Sequence, residues 1–244
     1  MNTILKLSLA VTFLIINVTN VNSQVFGSKK ITGNNNVVTK TVSTSDYDAI
    51  TVTGSVDVKL VSGNEGSIEV TTDENLHEYL IIESENGTLK IKTKKGFSLR
   101  TKKGIHITVP FKDIDDLTLT GSGDIVTKDM IKTTSFEVIL TGSWDIILDI
   151  DADAIDAKLT GSGDLQLAGN VTDFEVKVTG SGDFRGSSLN SKNTQVYISG
   201  SGSAKVNAIS SIKARVHGSG DVRYSGNPEI SDTKVLGSGS IKSI

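Results

Sequence analysis

The sequence predicts an all-β protein: a right-handed single-stranded β-helix (β-solenoid) with coils of about 19 residues turning at Gly-Ser-Gly corners. Three observations predict it. First, the dipeptide Gly-Ser recurs at Gly121, Gly142, Gly161, Gly180, Gly200, Gly218 and Gly237, at intervals of 21, 19, 19, 20, 18 and 19 residues. Second, apolar residues keep even offsets from these glycines. Two places before stand Leu119, Leu140, Leu159, Val178, Ile198, Val216 and Val235; four places after stand Ile125, Ile146, Leu165, Phe184, Ala204, Val222 and Ile241. Even offsets put side chains on one side of an extended chain. Third, 24 glycines, 2 prolines and a 36% hydrophobic content suit a thin, elongated core, not a bulky α/β enzyme. A single coil cannot bury its apolar edge; stacked coils can.

The elements follow in chain order. Residues 1–23 have the layout of a signal peptide: Lys6, an apolar run from Leu7 to Ile16, and small or branched residues before a cut ahead of Gln24. That run is shorter than a membrane-spanning helix requires. The expected mature protein is therefore exported, to periplasm, cell surface or medium, without a transmembrane segment. Residues 24–45 are polar and read as a capping or linker segment, with VVTKTV as its first strand. From 46 to 244 the chain reads as one solenoid. AITV, VDVKLV, SIEVTT, TLKIKT and IHITV alternate as strands do, and NGT at 86–88 reads as a hairpin turn. DENLHEYL, 73–80, is a short helix, and KTKKGFSLRTKKG a basic surface loop. Regular coils begin near 116, each read as two short strands joined at the glycine corner and followed by a return loop. Glycine permits the sharp backbone turn there.

Outward positions form ladders of their own. Thr120, Thr141, Thr160, Thr179 and Ser199 lie one place before the glycine, and Lys158, Lys177, Arg215 and Lys234 three before it. Asp116, Glu137, Asp156 and Glu175 lie five before it. Interleaved charge suits a solvated sheet face and does not suit an uncharged ice-binding one.

The ordered set YDAITVTGSVDVKLVSG, ENLHEYL, TLKIKTKKG and the GSGD series resembles the head GIN domain family of putative autotransporter adhesins, from about Asp46 to Asn227 and on toward the C-terminus. The resemblance implies a secreted bacterial β-helical protein that shares the superhelix of pectin-lyase-type folds without their catalytic residues. It also implies adhesion, by analogy with trimeric autotransporter heads. With neither coiled-coil stalk nor membrane barrel before Ile244, the chain is not expected to anchor or export itself.

The chemistry is sparse. Cysteine is absent, which removes thiolate sites and disulfides together. With 25 basic and 28 acidic residues the formal charge is −3, which argues against nucleic acid as a partner. Asp57, Asp124, Asp145, Asp164, Asp183 and Asp221 repeat three places after the glycine, with Ser203 and Ser240 in the remaining units. Stacked at about 4.8 Å, such charges repel by roughly 0.9 kcal/mol even in water. Backbone N–H groups at the corner are the expected compensation. A Ca²⁺ row on Asp124, Asp145, Asp164 and Asp183 is the alternative, though calcium wants six to eight oxygens. His77, His106 and His217 fit no metal or triad spacing, and Trp144, in place of a second glycine, reads as core or corner packing. No catalytic residue, metal or cofactor is expected. The predicted function is a non-catalytic, adhesin-like binding or structural module of the envelope, using the outward ladders or the loops near 94–104. Its ligand is a glycan or protein, and its open edges favour a homo-oligomer. The alternative is a carbohydrate-active β-helix of the polysaccharide lyase or hydrolase type, with paired carboxylates as acid and base.

Overall fold

A computed structural model describes residues 28–244. The expected signal peptide, 1–23, lies outside the described residues, as do the first positions of the 24–45 segment. The elements are β1 (Lys29–Thr32), β2 (Val37–Ser43), β3 (Ala49–Ser55), β4 (Asp57–Ser62), β5 (Ser67–Asp73), a 3-10 turn (Glu74–Tyr79), β6 (Leu80–Glu85), β7 (Thr88–Thr93), β8 (Phe97–Arg100) and β9 (His106–Phe111). Then come β10 (Asp116–Thr127), β11 (Ile131–Gly161), β12 (Asp164–Gly180), β13 (Phe184–Gly200), β14 (Ala204–Gly218), β15 (Asp221–Ser225), β16 (Ile230–Gly237) and β17 (Ser240–Ser243). The molecule is a β-solenoid of about 6 turns.

Register follows the sequence repeat. β10 runs parallel to β11 with Gly121 opposite Gly142, and the alignment continues through Gly161–Gly180, Gly180–Gly200, Gly200–Gly218 and Gly218–Gly237. In-register stacking puts like side chains above one another, so the even-offset apolar residues form columns. Leu119, Leu140, Leu159, Val178, Ile198 and Val216 are all buried, and Leu159 is the direct neighbour of Val178. Phe136, Phe174 and Ile212 are buried at the starts of their strands. Only in the last coil does the column open, with Val235 and Ile241 partly covered.

Three local expectations change. The predicted return loops are hydrogen-bonded strand: β12 and β13 run unbroken for 17 residues each, and the polar stretches stack as ladders of their own. Asn190 Nδ2 donates to Asn170 Oδ1 at 3.0 Å, and Asn207 Nδ2 to Asn190 Oδ1 at 3.0 Å. Such amide ladders supply between coils the partners that a loop would seek in water. Within the basic loop, FSLR forms β8, which pairs in parallel with β1, a strand that precedes VVTKTV. The short helix is a 3-10 turn whose Leu76 is buried. NGT is the hairpin turn between β6 and β7, with Asn86 and Gly87 at φ 52° and 76°, as a type I′ turn needs.

The N-terminal half continues the stack, but out of sequence order. β3 pairs with β10, placing Gly54 beside Gly121, and β4 pairs with the second half of β10. The chain leaves after β4 to build the outer end. There β7 lies on β3 and β9 on β4, closed by the antiparallel strands β6, β5 and β2.

Candidate functional site

At each corner the first glycine is held by the coil before it. The carbonyl of Gly142 accepts the N–H of Ser162 at 3.0 Å and of Gly163 at 3.2 Å; Gly161, Gly180, Gly200 and Gly218 repeat the pattern. That oxygen points at the next glycine's Cα. A Cβ on Gly161 would sit 2.3 Å from Gly142 O, and its φ of +125° is one that L side chains rarely adopt. Gly121, Gly142, Gly180, Gly200, Gly218 and Gly237 meet the same obstruction at 2.1–2.4 Å. The second position is tight as well. Trp144 is fully buried there, its ring against Gly123, and its Nε1–H finds no partner among the described residues. Trp144 therefore offers no surface for stacking a sugar.

Four of the six aspartates in the row accept backbone N–H groups. Asp57 Oδ1 accepts the N–H of Asp124 at 3.2 Å, Asp164 that of Asp183 at 3.0 Å, Asp183 that of Ser203 at 2.9 Å and Asp221 that of Ser240 at 2.9 Å. Arg185 also donates to Asp164 at 2.7 Å. Desolvation, aided by the charges of Asp57 and Asp145, holds Asp124 above the usual carboxylate range. The Ser240 hydroxyl and N–H hold Asp221 below it. Among the described residues no three acidic or histidine side chains converge as metal ligands do. Asp145 and Asp164 are direct neighbours, but so are Asp124 and Asp145.

The histidines separate. His77 bonds to Val38 O at 3.2 Å. His106 occupies the row itself: it is the register partner of Asp57, with Nδ1 3.2 Å from Asp57 Oδ2 and Nε2 2.7 Å from Lys103 O. His217 follows Ser199 in the threonine column.

One feature of the outward face escapes a search for repeats. Tyr197 stands in the basic column, between Lys177 and Arg215. Lys177 and Lys213 each place Nζ 5.8 Å from its ring centre, within cation–π range. Tyr197 and Lys177, with Thr179, Ser199, Arg215 and His217, line an open concavity of about 530 Å³. Lys177 also pairs with Glu175, and Arg215 with Asp232 at 2.5 Å. The signal was present as an exception: every other coil from Lys158 onward carries Lys or Arg at that place. The concavity can hold an aromatic-stacking, anionic group. The basic segment 94–104 instead places β8 against β1, with Phe97 packed on Tyr79 at 4.7 Å between ring centres.

Fold and surface together define a repetitive β-solenoid with charged outward ladders. Residues 46–228 match the family described as putative auto-transporter adhesin, head GIN domain, and the chain belongs to that family. A putative adhesin from Bacteroides fragilis NCTC 9343 shares the fold at a TM-score of 0.84 and 20% identity, over 88% of this chain and 100% of that one. A putative lipid binding protein from Parabacteroides distasonis ATCC 8503 is 31% identical at a TM-score of 0.74, over 88% and 100% of the two chains. A putative adhesin from Parabacteroides merdae ATCC 43184 gives 0.70 and 22%, over 88% and 99%. No curated protein matches. Among the described residues no helix is long and apolar enough to cross a membrane.

Proposed function

We propose that this protein is a non-catalytic, adhesin-like binding module, exported by residues 1–23, whose outward face around Tyr197 takes an anionic glycan. The observation that carries the reading is the aromatic ring at the centre of the basic column, flanked by Lys177 and Lys213 at 5.8 Å. A sugar ring stacks on such a face while its carboxylate or sulfate meets the lysines, and Arg215 adds a planar donor. The open, repetitive face suits an extended chain better than a small, enclosed ligand. Membership of a family described as putative adhesins supports the binding role.

The test is binding of the mature chain to immobilised uronate-bearing, sulfated and neutral glycans. Retention of the anionic sets, lost at least tenfold in Tyr197→Ala and in Lys213→Glu, is the expected result. Equal retention of neutral glycans, or binding unchanged in both variants, overturns the site. Asp145→Asn and Asp164→Asn serve the carbohydrate-active alternative. Glycan cleavage by the parent chain, lost in either variant with folding intact, would replace binding with catalysis. Retention of residues 1–23 on a cytoplasmic protein would end the exported reading.

A further inference from the structure

The last coil departs from the pattern of all the coils before it. Two of its inward positions carry hydroxyls: Ser231 follows Ile212, Thr194, Phe174 and Ile155, and Thr233 follows the apolar Ala214, Val196, Val176 and Ala157. Two outward positions turn apolar. Ile230 follows Ser211, Asn193 and Asp173; Leu236 follows His217, Ser199 and Thr179. Ile230 is 66% exposed and Leu236 49%. Among the described residues β16 pairs only with β14, so its other edge presents unpaired backbone N–H and C=O groups.

We propose that β16 pairs edge to edge with β16 of a second copy, antiparallel, with Thr233 on the twofold axis. Residues directly opposite in an antiparallel pair share a face. Centred on Thr233, the strand ISDTKVLG complements itself along its outward face. Ile230 meets Leu236, Asp232 meets Lys234, and Thr233 meets Thr233, each a favourable cross-strand pair. The twofold repeats the first two contacts, so both exposed apolar side chains are covered and both charges are matched. Asp232 keeps its Arg215 contact, which comes from the preceding coil on the opposite side.

The neighbouring registers are excluded by charge. Centring on Asp232 sets that carboxylate against its own copy and Ile230 against Lys234. Centring on Lys234 sets two ammonium groups together and Asp232 against Leu236. Like charges directly opposite destabilise a strand pair. The other end of the stack presents a different kind of edge. It is closed by antiparallel strands bearing Glu83 and Glu85 on β6 and Lys40 on β2, so no parallel coil can be templated there. The contact is isologous and closes at two copies.

Multi-angle light scattering at tens of micromolar protein tests the proposal. The parent chain should have twice the single-chain mass. Lys234→Glu, which sets two glutamates against two aspartates, should halve it while leaving the circular dichroism spectrum unchanged. Because the sequence contains no cysteine, Thr233→Cys reports register directly: mild oxidation should give one reducible dimer. A single-chain mass for the parent, a dimer that survives Lys234→Glu, no cross-link at position 233, or mass growing beyond two copies would each overturn it.

Discussion

The coils from 116 to 218 and the half that precedes them share one stack and are held together differently. In the coils, cohesion is repeated: each rung supplies the same apolar column, the same glycine carbonyl and the same outward ladder. In the N-terminal half, cohesion is particular. Glu65 accepts the N–H of Tyr47 at 2.9 Å and of Lys112 at 3.0 Å, the Tyr47 hydroxyl donates to Pro110 O, and Asn75 bonds both Thr32 O and Asn34 N–H at 2.9 Å. Burial raises the Tyr47 hydroxyl pKa above its usual value, with Glu65 and Asp46 adding to it. A repeated contact lets a protein extend by adding rungs. A particular one lets it stop.

The contrast is best broken at glycine. Gly161→Ala must fit a Cβ 2.3 Å from a backbone oxygen, so adjacent coils have to separate. Its cost should exceed the ~1–3 kcal/mol that backbone strain alone carries. Gly96 also has positive φ, 87°, but a Cβ there meets nothing within 4 Å. Gly96→Ala should cost only about 1–2 kcal/mol. Urea midpoints of the two variants decide the matter; equal losses would mean that the glycine ladder is no steric device.

Trp144→Ala comes next, at about 3–5 kcal/mol for an emptied aromatic site in the core. Trp144→Phe should cost less than Trp144→Ala, since both remove the N–H that has no partner but the phenyl ring leaves a smaller cavity; thermal denaturation compares the two. On the particular side, Glu65→Ala leaves two backbone N–H groups without their charged acceptor and should cost about 1.5–3 kcal/mol. Hydrogen exchange should show the loss first in residues 28–111 and leave the coils around Leu159 protected. Uniform loss across the chain would show that the two halves unfold as one.

The smallest effects lie in the aspartate row, where two rungs have opposite signs. Asp221 is more acidic in the folded chain than the ordinary carboxyl value of 3.8, so it contributes stability above pH 3.8 that is lost as pH falls through its folded value. Asp124 is less acidic folded than 3.8, so its ionisation works against folding at neutral pH and protonation relieves it. Asp124→Asn should therefore raise the melting temperature slightly at pH 7, and Asp221→Asn lower it. Each difference should fade in melts taken at pH values falling through that carboxyl's folded value. Shifts of the same sign at pH 7 would remove this distinction.

Much of the coil geometry was legible because side-chain parity and glycine spacing are local patterns that stacking merely repeats. The polar stretches around Asn170, Asn190 and Asn207 read as loop because asparagine marks turns when alone. Only in register does each amide find another. FSLR was too short, and too enclosed by lysines, to show alternation. The order of the N-terminal strands was hidden for another reason: that Ala49–Ser55 lies on Asp116–Ser122 is a long-range pairing, and only the shared Gly-Ser hinted at it. At the candidate site the basic column was readable, but Tyr197 broke the rule that made it so.

That out-of-order pairing has a consequence in time. A chain emerging from its N-terminus completes residues 49–62 long before their neighbours at 116–127 exist, and the two stretches are 67 positions apart. Closing so wide an interval is slow compared with docking one 19-residue coil on the last. β3 and β4 can first be flanked by the excursion, β7 and β9, and wait with one edge bare. Once β10 arrives, each later coil finds its template already formed. Assembly thus has one slow start followed by quick repetition.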